Sequence, residues 1–302
     1  MGFSISMENW DSKAHYEFGI GCGYYFSGLR TVMRKGEMAE IPIAPEKQTA
    51  VFKETLAQFS DLAQAEGGLP FLIIDDCSPV SLPIEELKEI VGDNPLLFIR
   101  PPRNLGTAGK ENLIQRVLSE RCKYVVRFDA DVKFDPFTLD YFRDAFAELP
   151  DAWAITPCIT YFARLDASNL PEDQRYFSGS NIADLAVMDS AIFDEIGYAD
   201  PKVKWNEDGE YRLRAKAITG KLCYVDKEMT GTAKPTGGGG KPLEFRAKAG
   251  RYIDKTRPFI KVVYPKGKTP RLMLDKKRLD EVKEFYIPAH PIAERLANRV
   301  WD

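Results

Sequence analysis

The chain has 302 residues, of which 44% are hydrophobic and 29% charged, and its formal net charge is −3. This composition is typical of a globular protein with a packed core and excludes a largely disordered chain. The five cysteines form no Cys-x-x-Cys pair, which predicts neither a zinc ribbon nor a disulfide framework. With no secretory leader and no run of about 18 apolar residues, we expect a cytoplasmic protein without a membrane span.

Strands and helices alternate through the first half of the chain. The predicted strands cover 18–26, 70–74, 96–99 and 124–128, the first of them rich in glycines that let another group approach the backbone. The predicted helices cover 49–65, 84–91 and 107–121, the third capped by Thr107, and a fourth starts at Asp135-Pro136. This alternation predicts an α/β fold with a doubly wound sheet.

The second half has fewer regular signals. A strand is predicted at 153–162, mixed signals cover 182–196, and a further strand covers 222–225. Between them, Asn206 is expected to cap a helix over 207–218 that Gly220 closes. The glycine run at 236–241 is either a mobile lid or a solvated linker.

Carboxylates follow two of the predicted strands directly. Asp75-Asp76 ends one strand, and Asp129-Ala-Asp131 ends another. Ligands of open α/β sheets bind beyond the carboxyl ends of strands, so both pairs are candidate site residues. Asp129 and Asp131 suit a hard divalent cation that also holds a diphosphate, whereas the alternative is that one of them caps a turn.

A third acidic pair, Glu207–Asp208, lies in the first turn of the predicted helix after Asn206. One interpretation is ordinary charge complementarity with the helix dipole. The other is a general base for an acceptor hydroxyl. Arg214 lies seven residues after Glu207, on the same helix face.

The order of these motifs resembles the family 2 glycosyltransferases with the GT-A fold, over about residues 17–226. The resemblance is carried by Asp75-Asp76-Cys-Ser78, Asn104-Leu-Gly106 with Lys110-Glu-Asn112, Phe128-Asp-Ala-Asp131, and Glu207-Asp208 with Arg214 and Gly220. It implies a Rossmann-like mixed sheet in a nucleotide-sugar-binding and catalytic domain over 1–235. A glycine-rich loop and a basic C-terminal extension would follow over 236–302.

The resemblance also implies roles for these residues. Asp75 and Asp76 would contact the nucleotide, and Lys110 and Arg214 would belong to the same donor site. Asp129 and Asp131 would hold the diphosphate of a nucleotide sugar, first of all a UDP-sugar, through Mn²⁺ or Mg²⁺. Asp208, with Glu207 as second choice, would deprotonate the acceptor in a single inverting displacement.

Two departures from the family pattern concern the donor and metal sites. The first strand ends in Gly21-Cys-Gly23-Tyr24, which predicts altered base recognition. The metal-binding histidine after the last sheet strand is missing. His290 is then the candidate third ligand, and a surface or packing histidine is the alternative. The absence of a Gln-x-x-Arg-Trp motif argues against a processive polysaccharide synthase.

Basic residues outnumber acidic ones between Lys241 and Lys283. This tail is either a nucleic-acid surface or a solvated basic face. A hydroxymethylated base in phage DNA, flipped out of the duplex, is therefore one expected acceptor. Soluble glycans, glycolipid headgroups, proteins and small molecules are the others.

Two rival functions account for fewer of these features. A sugar-nucleotide pyrophosphorylase would carry a glycine-rich basic loop after its first strand, and Phe26-Ser-Gly-Leu-Arg30 matches it poorly. A non-catalytic nucleic-acid-binding protein would explain the basic tail but leave the acidic strand ends without a role.

Overall fold

A computed structural model describes residues 3–34, 37–130, 132–159, 168–178, 185–203, 206–233, 243–264, 271–279 and 285–301. The helices of this part are α1 (Pro45–Ala65), α2 (Ile84–Val91), α3 (Thr107–Ser119), α4 (Asp140–Glu148), α5 (Ala191–Ile196), α6 (Glu207–Thr219), α7 (Leu243–Thr256) and α8 (Pro291–Trp301). The strands are β1 (Ser4–Glu8), β2 (Tyr16–Tyr24), β3 (Leu29–Arg34), β4 (Glu37–Pro42), β5 (Phe71–Asp75), β6 (Leu96–Arg100), β7 (Cys122–Phe128), β8 (Val132–Phe134), β9 (Ala152–Pro157), β10 (Tyr176–Ser178), β11 (Leu185–Asp189), β12 (Leu222–Asp226), β13 (Gly231–Ala233), β14 (Ile260–Val263) and β15 (Arg271–Leu274).

Nine of the strands in the described ranges form one mixed sheet in the order β1-β6-β5-β2-β7-β11-β9-β12-β10. Its centre, β6-β5-β2-β7, is parallel, and the connections between these strands carry α1, α2 and α3. Strands β1 and β11 join this centre antiparallel on either side. The predicted mixed α/β sheet is thus confirmed, with its parallel strand ends at one edge.

The glycines of β2 exist because helix α3 packs directly on that strand. A Cβ at Gly19 would lie 3.2 Å from a methyl carbon of Leu118, and a Cβ at Gly21 would lie 2.4 Å from a methyl carbon of Ile114. A Cβ at Gly23 would meet the Lys110 side chain at 2.7 Å. Side chains larger than hydrogen on this face would force α3 away from the sheet. The group that the glycines admit is therefore a helix, whose first turn carries Lys110.

The hydrophobic core has a layer on each face of the sheet. One layer packs α1, α2 and α4 against alternate strand residues such as Phe18, Phe71 and Phe128. The other packs α3, α5, α6 and α8 against residues such as Leu72, Val125 and Trp153. Since both faces are covered, the central strands are mainly apolar, as parallel strands in α/β folds are, and the buried Arg127 of β7 is an exception.

The C-terminal part of the chain packs against the rest through two elements. The β14–β15 hairpin and α7 form a small core with Leu213 of α6 and with Val203. Helix α8 contributes Leu296, Val300 and Trp301 to the core layer that holds α3. Among the described residues, no helix has the length and apolarity that crossing a bilayer requires.

Several local predictions were wrong. Thr107 does not cap α3, because it is the first helical residue and Gly106, which has no side chain, occupies the cap position. Helix α4 starts at Asp140 rather than at Asp135, because Val132–Phe134 pairs with β13 and the Asp135 N–H donates to the Thr230 carbonyl. The β3–β4 hairpin lies in a stretch for which no element was predicted. The glycine run at 236–241 lies outside the described residues.

Candidate active site

Asp75, the last residue of β5, is completely buried and holds the turn that follows it. Its carboxylate accepts hydrogen bonds from the Ser78 N–H at 2.8 Å and the Ser81 hydroxyl at 2.6 Å, and it pairs with Arg100 at 2.9 Å. Between these partners Cys77 adopts a left-handed backbone with φ of 62°. Asp75 therefore fixes the loop at the carboxyl end of β5.

Asp76 joins the same loop to the start of α3. Its carboxylate accepts the N–H groups of Leu105 at 2.6 Å and Gly106 at 3.1 Å. Burial raises the pKa of Asp76 to about 6, although these hydrogen bonds and Lys110 oppose the shift. Lys110 donates to the carbonyl of Gly23 at 3.2 Å. Two predicted donor-site residues, Asp76 and Lys110, thus connect the end of β5 and the end of β2 to the start of α3.

Arg127 was not predicted as a site residue, yet it lies at the centre of the acidic groups. It is 4% exposed, and its guanidinium pairs with Glu111 of α3 and, at 2.9 Å, with Asp129. The Asp129 side chain is 36% exposed, so it reaches the surface above the buried arginine. The available signal was a charged residue inside an otherwise apolar strand, because a buried arginine requires partners of opposite charge.

Glu207 and Asp208 complete this arrangement from the first turn of α6. They line a small crevice with Glu111, Gln115, Arg127, Met188, Ala199 and Tyr211. Burial raises the pKa of Glu207 to about 7, and the neighbouring charge of Asp208 adds to the shift. Burial likewise raises the pKa of Asp208, against the effect of Arg127. We call Glu111, Arg127, Asp129, Glu207 and Asp208 the Arg127 cluster.

The start of α6 has an unusual backbone. Asn206 adopts a left-handed conformation with φ of 57°, and its side chain makes no capping hydrogen bond, so it precedes the helix as predicted but does not cap it. Its Oδ1 lies 2.3 Å from where a Cβ on Gly209 would be. A larger residue at Gly209 would therefore require the Asn206 side chain to move.

Arg214 lies below the site. It is fully buried, and it pairs with Glu210 and donates to the carbonyls of Ile196 and Tyr198. Glu210 also pairs with Arg257, which in turn pairs with Asp200. This buried network, which was not predicted, ties α6 to the loop before it and to the C-terminal part of the chain.

The described residues include only part of the predicted metal site. Asp129 offers a carboxylate at the surface, and carboxylate oxygens are ligands that Mg²⁺ and Mn²⁺ accept. Asp131 lies outside the described residues. Within the described part of the chain, no three potential ligand side chains are grouped closely enough to hold a metal ion. Asp129, the described member of the predicted metal pair, nevertheless has the carboxylate oxygens that such a cation binds.

His290, the third ligand candidate, does not join the Arg127 cluster. Its Nδ1 accepts the N–H of Ile292 in the first turn of α8, and its backbone N–H donates to Asn112. Burial and the charges of Arg103 and Arg295 lower its pKa. The structure therefore places this histidine beside two cations.

Three solved structures have folds similar to that of this chain. The chain resembles Staphylococcus aureus TarS in complex with UDP-GlcNAc, with a TM-score of 0.55 and 12% identity over 89% of this chain and 71% of that one. The mannosyltransferase PcManGT from Pyrobaculum calidifontis, in complex with GDP-Man and Mn²⁺, has a TM-score of 0.54 and 14% identity. The match covers 96% of this chain and 75% of that one. GalNAc-T7 with UDP, GalNAc and Mn²⁺ has a TM-score of 0.53 and 10% identity, and the match covers 79% of this chain and 48% of that one.

The likeness establishes the GT-A type of fold predicted from the motifs. Against a longer TarS chain, the match spans 39% of that chain. No family model matches the sequence. No curated protein matches it either. Membership of family 2 stays a prediction.

Proposed function

We propose that this protein is a glycosyltransferase that moves a sugar from a nucleotide-sugar donor to an acceptor hydroxyl. The observation that carries the proposal is the Arg127 cluster. It brings Asp129 and the pair Glu207–Asp208 together at the carboxyl edge of a GT-A-type sheet. Crevices at this edge are where open α/β sheets bind their ligands. The structurally similar proteins bind UDP-GlcNAc, UDP or GDP-Man, which supports this class of donor.

The donor would lie between the end of β5 and the first turn of α3. Asp76 and the loop held by Asp75 would face the nucleotide. The ammonium group of Lys110 would contact a phosphate. A UDP-sugar is the donor to test first. Arg214 would support this site from within, since its hydrogen bonds hold the base of α6.

Asp129 and Asp131 would hold Mn²⁺ or Mg²⁺ at the diphosphate. When bound, such a cation neutralises the charge that develops on the leaving diphosphate. Arg127 would keep the Asp129 carboxylate in place at the edge of the sheet. The hard oxygen donor and its exposure support this assignment.

Asp208 would accept the proton of the acceptor hydroxyl, with Glu207 as the second candidate. Burial raises the pKa of both carboxyls, and a base with a pKa close to the working pH is the more effective catalyst. A single displacement with this base would invert the configuration at the sugar. A hydroxymethylated base in DNA is one acceptor to assay beside glycans, proteins and small molecules.

The test is a thermal-shift screen of UDP, GDP, CDP and their sugar conjugates, with and without Mn²⁺. A ligand that binds the native state raises the unfolding midpoint by mass action. We expect a manganese-dependent shift with one nucleotide class, which Asp131→Ala abolishes. Asp208→Asn should bind the donor as well as the wild type does but lose transfer by about 10²–10⁴-fold, the usual size of a general-base effect.

The absence of any nucleotide-dependent shift would contradict the proposed donor site. Full activity of Asp208→Asn would contradict the base assignment and make Glu207 the candidate base. Release of pyrophosphate from a nucleoside triphosphate would instead indicate a pyrophosphorylase. The exposed Glu89 of α2 offers a control, because Glu89→Gln should change neither binding nor transfer.

A further inference from the structure

A cavity of about 350 Å³ lies between the loop that precedes α3 and the start of α8. It is lined by Arg103, Asn104, Leu105, Gly109, Leu113, Pro201, His290, Ile292 and Ala293. Small-molecule sites in proteins commonly have volumes of about 300–1,000 Å³. The cavity is therefore large enough for a small ligand.

Among the described residues that line this cavity, Arg103 is the cation and none is a carboxylate. His290 also lines it, and because burial and the charges of Arg103 and Arg295 lower its pKa, its imidazole is a neutral hydrogen-bonding group at neutral pH. Arg295 lies one turn along α8 from Pro291 and acts on His290 electrostatically, as Arg103 does. The guanidinium of Arg103 makes no hydrogen bond or ion pair with a described residue and is exposed. A cleft lined by charge of one sign concentrates counter-ions of the other sign.

Beside Arg103, His290 and the polar Asn104, the walls of the cavity are mainly aliphatic, and hydrogen bonds fix the loop that forms one of them. Leu105, Leu113, Pro201 and Ile292 supply aliphatic surface. The loop that carries Leu105 is held by the Asp76 carboxylate, and the buried Asn112 amide joins Ala199 to His290. A preformed pocket with aliphatic walls and an arginine that pairs with no described residue suits a ligand with an apolar body and an anionic end.

We propose that this cavity binds the phosphate group of a small amphipathic molecule, with Arg103 and His290 contacting the phosphate and the aliphatic wall contacting the rest. Arginine is suited to phosphate because its planar fork donates two hydrogen bonds at once. A cavity of this volume favours a terminal phosphate on a small molecule over the backbone of a duplex. This site is distinct from the Arg127 cluster and does not depend on the proposed transferase activity.

The test is calorimetric titration of the full chain with phenyl phosphate, inorganic phosphate and phenol at low ionic strength. Phenyl phosphate should bind most tightly, because it offers both the charge and the apolar body. Arg103→Gln, which breaks no internal contact, should weaken its binding by about tenfold or more, the size expected for one charge-assisted contact. His290→Asn should do the same while keeping an acceptor for the Ile292 N–H.

Matched controls separate this site from others. Arg299→Gln removes the same charge from the exposed side of α8 and should bind phenyl phosphate like the wild type. Lys110→Gln tests the proposed donor site. Should phenyl phosphate binding be lost in Lys110→Gln and retained in Arg103→Gln, the anion occupies the donor site and the proposal is overturned.

Three other outcomes would also overturn it: no heat of binding with phenyl phosphate, equal binding of phenol, or unchanged binding in Arg103→Gln. Tighter competition by a single-stranded oligonucleotide than by inorganic phosphate would assign the cations to nucleic acid instead. Donor binding measured with the same variants reports on the transferase proposal separately, since neither Arg103 nor His290 is assigned to the donor.

Discussion

At the scale of single residues, Arg127 determines the electrostatics of the candidate site. A buried arginine is tolerated only when carboxylates compensate its charge, and here Glu111 and Asp129 do so directly. Even so, the carboxyls outnumber the cation, and burial raises the pKa of Glu111 to about 7, with Asp208 and Asp129 adding to the shift. The cluster therefore holds more potential negative charge than its one arginine neutralises.

This excess charge predicts that Glu207→Gln stabilises the protein at high pH. The pKa of Glu207 is raised to about 7 in the folded state, so the folded state keeps a proton that the unfolded chain loses from about pH 4.5 upward. Stability from this group is therefore present at low pH and lost as the pH rises through about 7. At pH 8, without divalent cations, the variant should unfold about 2–4 °C above the wild type.

The pH dependence of that difference is the decisive observation. At pH 4 both side chains are neutral, and the two melting temperatures should agree. Glu89→Gln, at an exposed position, should match the wild type at both pH values. A difference for Glu207→Gln that is the same at pH 4 and pH 8 would show that burial does not raise this pKa.

At the scale of elements, α6 is fastened by a buried ion-pair network that begins one turn after Glu207. Glu210 accepts from Arg214 at 3.0 Å and from Arg257 at 2.7 Å, and Arg257 also pairs with Asp200 at 2.5 Å. Because Asp200 lies in the segment that leads into α6, Arg257 contacts both the helix and the chain before it. The C-terminal part of the protein thereby supports the helix that carries Glu207 and Asp208.

Arg257→Ala should therefore destabilise the protein by about 3–5 kcal/mol, the usual cost of removing one partner from a buried ion pair. Urea unfolding measures this free energy. Arg257→Lys should restore only part of it, because an ammonium cannot reproduce the guanidinium fork that reaches two carboxylates. Lys255→Ala, at an exposed position of α7, should change the free energy by less than about 0.5 kcal/mol. A similar loss in both alanine variants would show that the network carries no specific stability.

At the scale of the whole molecule, α8 completes the core layer on the α3 face. Trp301 is 4% exposed, its indole N–H donates to the carbonyl of Val117 at 2.6 Å, and its ring lies 4.5 Å from that of Trp10. A residue near the C-terminus is thus packed between α3 and the N-terminal segment. The sequence predicts that 236–302 is a glycine-rich loop and a basic extension of the domain over 1–235, and this contact allows a test of whether the two parts unfold together.

Trp301→Ala should lower the free energy of unfolding of the whole protein by about 3–5 kcal/mol, the cost of a large cavity in a packed core. A single cooperative urea transition, followed both by tryptophan fluorescence and by circular dichroism, would show that α8 belongs to the main core. Arg299→Gln on the exposed side of the same helix is the control. A loss below about 1 kcal/mol, or an early separate transition, would support an independent C-terminal domain.

The sequence by itself determined the alternation of strands and helices and the strand ends that carry Asp75, Asp76 and Asp129, because these features depend on periodicity over short stretches of chain. The GT-A type of fold was predicted from the resemblance of the motif order to a known family. The glycines of β2 were also recognised as a close approach, although their partner helix was not.

Only the tertiary structure decided which charged groups meet. Arg127 pairs with Glu111 across 16 positions of the sequence, and Arg257 pairs with Glu210 across 47. No periodic pattern encodes such pairs, because they depend on how separate elements cross in space. For the same reason Arg214 was placed in the donor site from its motif, while the structure shows its guanidinium bonded inside the protein. Burial and partnership, which set charge and pKa, exist only once the chain is folded.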